Sequence, residues 1–396
     1  MSQQKNYNIT VTACFAGYVV QAIVNNFIPL LFLTFAKDYH IPLGQITLLV
    51  TFNFGVQLCI DLLSAAFVDK IGYRVSIVLA HIFAAAGLLG LTLLPELLPQ
   101  PFFGILLSVT IYAVGGGLLE VLVSPIVESC PTDNKEKAMS LLHSFYCWGH
   151  VGVVLVSTAF FRLFGIGNWK ILAVIWSLIP IINCLVFLKA PIAPLIEDGE
   201  KGMRFGELFR EKIFWVLMLM MFCSGASEQA VSQWASTFAE KGLGVTKTVG
   251  DLAGPLAFAF FMGSSRAYYG RRGDRIDLDK FMLGSCLLCI ASYLLISLCP
   301  NPAVSLIGCA LCGLSVGIMW PGTFSKASAS LARGGTALFA FLALAGDLGC
   351  SGGPTVVGFV SSACSDNLKA GILVGVCFPI LLAASLIACK KIRGAS

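Results

Sequence analysis

Residues 102–127 read FFGILLSVTIYAVGGGLLEVLVSPIV, a run of 26 residues in which Glu120 is the single charged side chain. At about 1.5 Å rise per residue a helix of that length is about 39 Å long, more than the roughly 30 Å of a bilayer's hydrocarbon layer. The apolar residues do not alternate with polar ones, which a strand of a membrane barrel would require. A helix apolar on all its faces fits a membrane far better than the surface of a soluble domain. This stretch therefore reads as a transmembrane helix.

Outward from it the same pattern recurs, with spans expected near 9–36, 46–68, 75–94, 102–127, 138–161 and 170–188, then 213–238, 252–269, 281–298, 304–325, 335–361 and 370–389. The expected class is an all-α membrane protein of about twelve transmembrane helices. Composition agrees: 57% of the 396 residues are hydrophobic and 12% charged, against roughly 25% charged in soluble domains. The 40 glycines and 16 prolines suit membrane helices, where both are common. The first span is too long for the apolar core of a signal peptide and no cleavage site follows it, so it reads as a mature helix.

Lys and Arg set the orientation. Twenty of the 26 fall on one side, which holds Lys5, Lys70, Arg74, Lys135, Lys137, the cations of 189–212, those from Arg266 to Lys280, Lys326, Arg333 and the C-terminal group. Six, Lys37, Arg162, Lys170, Lys241, Lys247 and Lys369, fall on the other. Positive charge stays inside, so both termini are expected in the cytoplasm and the chain in the cell (inner) membrane. That bias accounts for the net charge of +5, and nothing else points to nucleic acid.

The charged stretch 189–212, opening with Pro191 and Pro194, divides the chain into halves at 1–188 and 213–396. Its run MRFGELFREK suits either a short amphipathic helix on the membrane surface or a solvated linker. The halves carry matching spacings. Gly17, Gln21 and Asn25 recur every four residues in the first span, as do Gly225, Gln229 and Gln233 in the seventh. Gly117 with Pro125 in the fourth is echoed by Gly313 with Pro321 in the tenth, and Gly149-His150-Val151-Gly152 in the fifth by Gly346-Asp347-Leu348-Gly349 in the eleventh. Two pseudo-symmetric six-helix halves are expected.

Residues 61–74, DLLSAAFVDKIGYR, place Asp69, Lys70, Gly72 and Arg74 at the turn between the second and third spans. The run resembles the loop motif of the major facilitator superfamily, with Ala65 where the leading glycine usually stands. YYGRRGDR at 268–275 occupies the equivalent turn of the second half, Gly273 matching Gly72. Within the superfamily the chain resembles the fucose permease family of sugar:cation symporters. GGGLLEVLVSPIV presents Glu120 and Pro125 where that family has its acid and proline, Trp320-Pro321-Gly322-Thr323-Phe324-Ser325 is similar to its aromatic-Pro-x-x-Phe-Ser run, and Asn25-Asn26 stand for its paired asparagines. Two positions depart: Pro29 replaces a first-helix carboxylate and Tyr146 a fifth-helix Asn. The resemblance implies the major facilitator fold, alternating access and symport of a sugar or sugar-like compound, not l-fucose in particular.

Four acids fall within the expected spans: Asp61, Glu120, Glu228 and Asp347. An unpaired charge there costs several kcal/mol, so each is protonated, paired or facing a wet cavity. Desolvation favours the neutral carboxyl, which is what a proton carrier needs to load and unload near neutral pH. Asp61 lies eight residues from Asp69 and reads either as a gate residue, with Asp69, Lys70, Gly72 and Arg74, or as structural. Glu120 reads as a coupling or substrate group, or a buried hydrogen bond. Glu228, beside Gln229, carries the same alternatives, and Asp347 is either functional or a satisfied acid between close-packed helices.

Gln21, Asn25, Asn26, Gln229 and Gln233 suit a hydroxyl-rich ligand, since amides donate and accept together. Tyr146, Trp234 and Trp320 suit stacking on a sugar, or plain packing. His150 mirrors Asp347 and reads as a proton relay or an interhelical hydrogen bond. Asn53, Gln57 and Asp61 form a polar stripe that lines a cavity or joins a neighbouring helix.

The 15 cysteines include Cys286-x-x-Cys289 and Cys309-x-x-Cys312, but both lie in apolar helices without nearby His and read as packing residues. No Walker loop, dinucleotide fingerprint or nucleophile elbow appears. The expectation is no enzyme, no cofactor and no metal: a monomeric secondary transporter whose partners are a small polar solute, a coupling proton and the bilayer. The alternative is an exporter of drugs or metabolites working by proton exchange, whose superfamily members usually carry a Gly-Pro-rich fifth helix; here the similar SGGPTVVG lies in the eleventh.

Overall fold

The computed structural model describes residues 6–41, 43–195, 202–233, 235, 247–365 and 367–395. Among them, eleven helices are long and apolar enough to cross a bilayer. The expected eighth span is helical over Lys247–Arg272. Among the described residues each of the twelve expected spans thus falls on helix, and their outer faces leave Leu185 and Phe359 60% and 74% exposed. Large apolar side chains exposed in such number suit lipid, not water.

Proline decides where spans break. The first is helical over Tyr7–Asn26, tightens to a 3-10 turn over Ile28–Leu31 and resumes over Phe32–Asp38. Pro29, lacking an N–H, leaves the Asn25 carbonyl one turn earlier without its helical donor. The tenth runs over Pro302–Val316 and Met319–Ser330, interrupted four residues before Pro321, and the twelfth over Leu368–Gly375 and Cys377–Ala395, interrupted before Pro379. Between the second span, Leu43–Ile71, and the third, Tyr73–Leu97, the chain turns on Gly72 at φ 89°. That left-handed conformation costs other residues roughly 1–2 kcal/mol.

Two compact units form, one of residues 1–131 with 145–198, the other of residues 132–144 with 199–396. Residues 132–144, at the start of the fifth span, Lys135–Phe164, thus group with the second unit. In the first unit the fourth span, Pro101–Ser129, packs on the first, second and third, and the sixth, Trp169–Lys189, on the first and third. Six spans on, the pairings recur: the tenth packs on the seventh (Lys212–Ser232), eighth and ninth (Leu278–Leu298), and the twelfth on the seventh and ninth.

The repeated glycines mark some of these approaches. Gly117 of the fourth span lies against Gln57 of the second, and Gly313 of the tenth against Phe258 of the eighth. The eleventh span, Gly335–Ala363, meets the seventh so closely that a Cβ on Gly349 would strike the Phe222 carbonyl and the Ala226 nitrogen. Gly349→Val is therefore expected to force the two helices apart at a cost of about 1–3 kcal/mol. Thermal unfolding in detergent checks this, and an unchanged midpoint would refute the packing argument.

Candidate functional site

Each unit builds its own polar cluster inside its spans. In the first, Gln21 Nε2 of the first span donates to Glu120 Oε2 of the fourth at 2.7 Å. One turn further along the first span, Asn25 Oδ1 accepts from Asn53 Nδ2 at 3.1 Å and Gln57 Nε2 at 2.8 Å, both from the second. The Asn53–Gln57 stripe therefore joins a neighbouring helix. Buried Asn53 Oδ1 has no hydrogen-bond partner among the described residues.

Gly116 and Gly117 let the second and fourth spans meet here, since a Cβ on either would press on Gln57. Half-buried Glu120 thus bonds Gln21, one turn before the Asn25 cluster, and the hydroxyls of Tyr18 on the first span and Ser124 on the fourth lie 3.0 Å apart. Tyr146 of the fifth span meets Tyr18 edge-on, with centroids 6.5 Å apart and planes at 77°. His150 follows one turn later, half-buried. Asn26 turns back on its own helix, donating to the Ala22 carbonyl at 2.8 Å. Asp61 is fully buried on the second span.

In the second unit Glu228 is paired with a cation. Arg266 of the eighth span sets its Nη2 3.3 Å from Glu228 Oε2, with side chains 4% and 13% exposed respectively. Gln229 Nε2 donates to Glu228 Oε1 at 3.3 Å. The remaining guanidinium nitrogens are used on backbone: Nε donates to the Gly317 carbonyl at 2.8 Å and Nη1 to the His143 carbonyl at 3.2 Å. Gly317 is four residues before Pro321, so Arg266 satisfies the carbonyl that the missing proline N–H leaves over.

Buried Trp320 follows that break, and a Cβ on Gly346 would strike its ring. Asp347 is the next residue, half-buried. Gln233 ends the seventh span, exposed, and Trp234 lies outside the described residues.

Two of the cations counted for orientation lie inside spans. Arg266 is buried in the eighth span and Lys326 in the tenth, where it pairs with Asp279. Arg266 lies three residues inside the expected end of its span, so a cation within an apolar run was the available signal.

At the turn after the second span, Asp69, Lys70 and Arg74 are exposed. Arg74 donates to the carbonyls of Phe187 at 2.8 Å, Leu188 at 3.0 Å and Ala190 at 2.8 Å. A cation thus holds the last carbonyls of the sixth span, where the helix dipole favours it. At the equivalent turn of the second unit, Asp274 pairs with Lys137 and accepts from Asn134 at 3.0 Å. The hydrogen bond from Lys137 holds the Asp274 carboxyl below its ordinary range.

No curated protein matches the chain by sequence. Among solved structures, the E. coli fucose:proton symporter is 18% identical with a TM-score of 0.82, over 97% of this chain and 99% of that one. A proton:xylose symporter is 11% identical with a TM-score of 0.81, over 96% and 94%. The human organic anion transporter MFSD10 is 15% identical with a TM-score of 0.73, over 97% and 100%. These likenesses establish a shared fold. By sequence, residues 13–354 match the family described as the Major Facilitator Superfamily. With twelve expected spans found as helices, pairings repeated six spans apart and that match covering most of its length, the chain belongs to the major facilitator superfamily of membrane transporters.

Proposed function

We propose that the protein is a secondary active symporter carrying a small polar solute, a sugar or sugar-like compound, together with a proton. The observation that supports this most is the Gln21–Glu120 hydrogen bond beside Asn25, Asn53 and Gln57. Inside a membrane span a carboxyl favours its protonated form unless a cation pairs with it, and neighbouring amides both donate to and accept from hydroxyls. Asn53 Oδ1 adds a buried acceptor, and Tyr146, edge-on to Tyr18, supplies a ring face. The structural likeness to two proton-coupled sugar symporters supports the same reading. Glu228, Gln229, Gln233, His150 and Asp347 are the further binding or coupling candidates.

The protein is proposed to work as a monomer, in the cell inner membrane, with both termini cytoplasmic. Purified protein in vesicles with acid outside should accumulate its sugar, and a protonophore should abolish accumulation. Accumulation indifferent to the protonophore would exclude proton coupling.

Asp69, Lys70, Gly72 and Arg74 are assigned to switching, because a turn roughly 15 Å from the bilayer midplane does not touch a midplane ligand, and Asp61, buried on the span that leads to that turn, is assigned to the gate with them. Loss of one ion pair shifts a two-state balance by about 1 kcal/mol, about fivefold. Asp69→Asn should slow transport about fivefold while equilibrium binding changes little. Binding that falls in step with transport would place Asp69 in recognition.

A further inference from the structure

The run MRFGELFREK folds as one helical turn, Phe205–Leu208, followed by the start of the seventh span. The backbone nitrogen of Met203 donates to the Arg333 carbonyl at 2.8 Å, tying the linker to the turn between the tenth and eleventh spans. Between them lies a cavity of about 760 Å³ that reaches Ile392 near the end of the twelfth span. Three cations line it, Arg210, Lys212 and Arg333, with one carboxylate, Glu211. Among the described residues none of the three cations forms an ion pair. Lys212 also opens the 21-residue seventh span, whose N-cap, Glu211, makes no side-chain capping bond. The positive end of that helix therefore adds to the same field.

Beside the cavity stands a fixed aromatic group. Phe205 and Phe209 both pack on Phe341, with centroids 5.6 and 5.2 Å apart, and Trp215 Nε1 donates to the Phe209 carbonyl at 2.9 Å. These rings nevertheless remain exposed, Phe205 and Phe209 at 41% and Trp215 at 56%. Aromatic side chains fixed in place yet exposed at the end of a span sit at the headgroup level of a bilayer. A cavity with unpaired cations next to them meets phosphate oxygens at that same level.

We propose that this cavity binds the headgroup of an anionic phospholipid from the leaflet on the linker's side. Arg210, Lys212 and Arg333 meet the phosphodiester, and Phe209 and Trp215 lie along the lipid's glycerol and upper chain. A free inorganic anion would use the same cations but gain nothing from the rings. The site is independent of the transported solute and of Glu120.

The test is native mass spectrometry and thermal unfolding of the detergent-purified full chain with phosphatidylglycerol, phosphatidylcholine or inorganic phosphate added. Phosphatidylglycerol should remain bound and raise the unfolding midpoint, while the other two do neither. Arg210→Gln with Arg333→Gln should weaken phosphatidylglycerol binding about tenfold. Glu211→Gln, which removes the one carboxylate, should strengthen it. Equal stabilisation by inorganic phosphate would make this a small-anion site and overturn the proposal. Phosphatidylglycerol binding unchanged in both variants would overturn it as well.

Discussion

Glu120→Gln is expected to bring gradient-driven accumulation of solute to a ratio of about one, while exchange of labelled for unlabelled solute persists. The substitution keeps shape and hydrogen-bonding capacity, so the bond that Gln21 makes at 2.7 Å is replaced by an amide–amide bond and the helices stay in register. What is lost is the exchangeable proton. One unit of pH difference is worth about 1.4 kcal/mol per proton, about tenfold accumulation for one proton per solute. The native protein should approach that ratio at a one-unit gradient. Undiminished accumulation in a folded Glu120→Gln variant would remove Glu120 from the coupling step.

Arg266→Met carries the largest expected effect on stability. The Arg266–Glu228 pair is almost wholly withdrawn from solvent, and removing one member of a buried pair costs about 3–5 kcal/mol, because the other charge stays behind uncompensated. The Gly317 and His143 carbonyls lose their donor in the same step. Arg266→Lys should recover little, since an ammonium does not reproduce a fork that serves a carboxylate and two carbonyls at once. Adding Glu228→Gln to Arg266→Met should restore part of the loss by removing the stranded charge. Unfolding midpoints of the four proteins in one detergent decide the matter, and a single variant as stable as the native chain would show that the pair contributes nothing.

The spans were legible because the bilayer imposes a length: each must supply about twenty apolar residues, and a run such as 102–127 admits no other reading. Glu120 was legible for the same reason, as a charge in a place that tolerates few. Its partner was not. Gln21 lies 99 residues away in sequence, and spacing along the first span orders its polar face without saying which helix faces it. The stripe of Asn53 and Gln57 was recognisable as polar but undecided between cavity and helix contact until both amides met Asn25. Arg266 was visible as a cation near the end of an apolar run, but its role was not. Only the Pro321 break, which frees a carbonyl for it, and the carboxylate of Glu228 explain why it is drawn inside.

The account rests on solute and proton moving together, and the sign of proton movement tests that most directly. Solute added to the outside of de-energised, weakly buffered vesicles containing the purified protein should alkalinise the external medium as protons enter with it. In Glu120→Gln vesicles the external pH should stay constant. External acidification on adding solute would mean exchange rather than symport and would contradict the account.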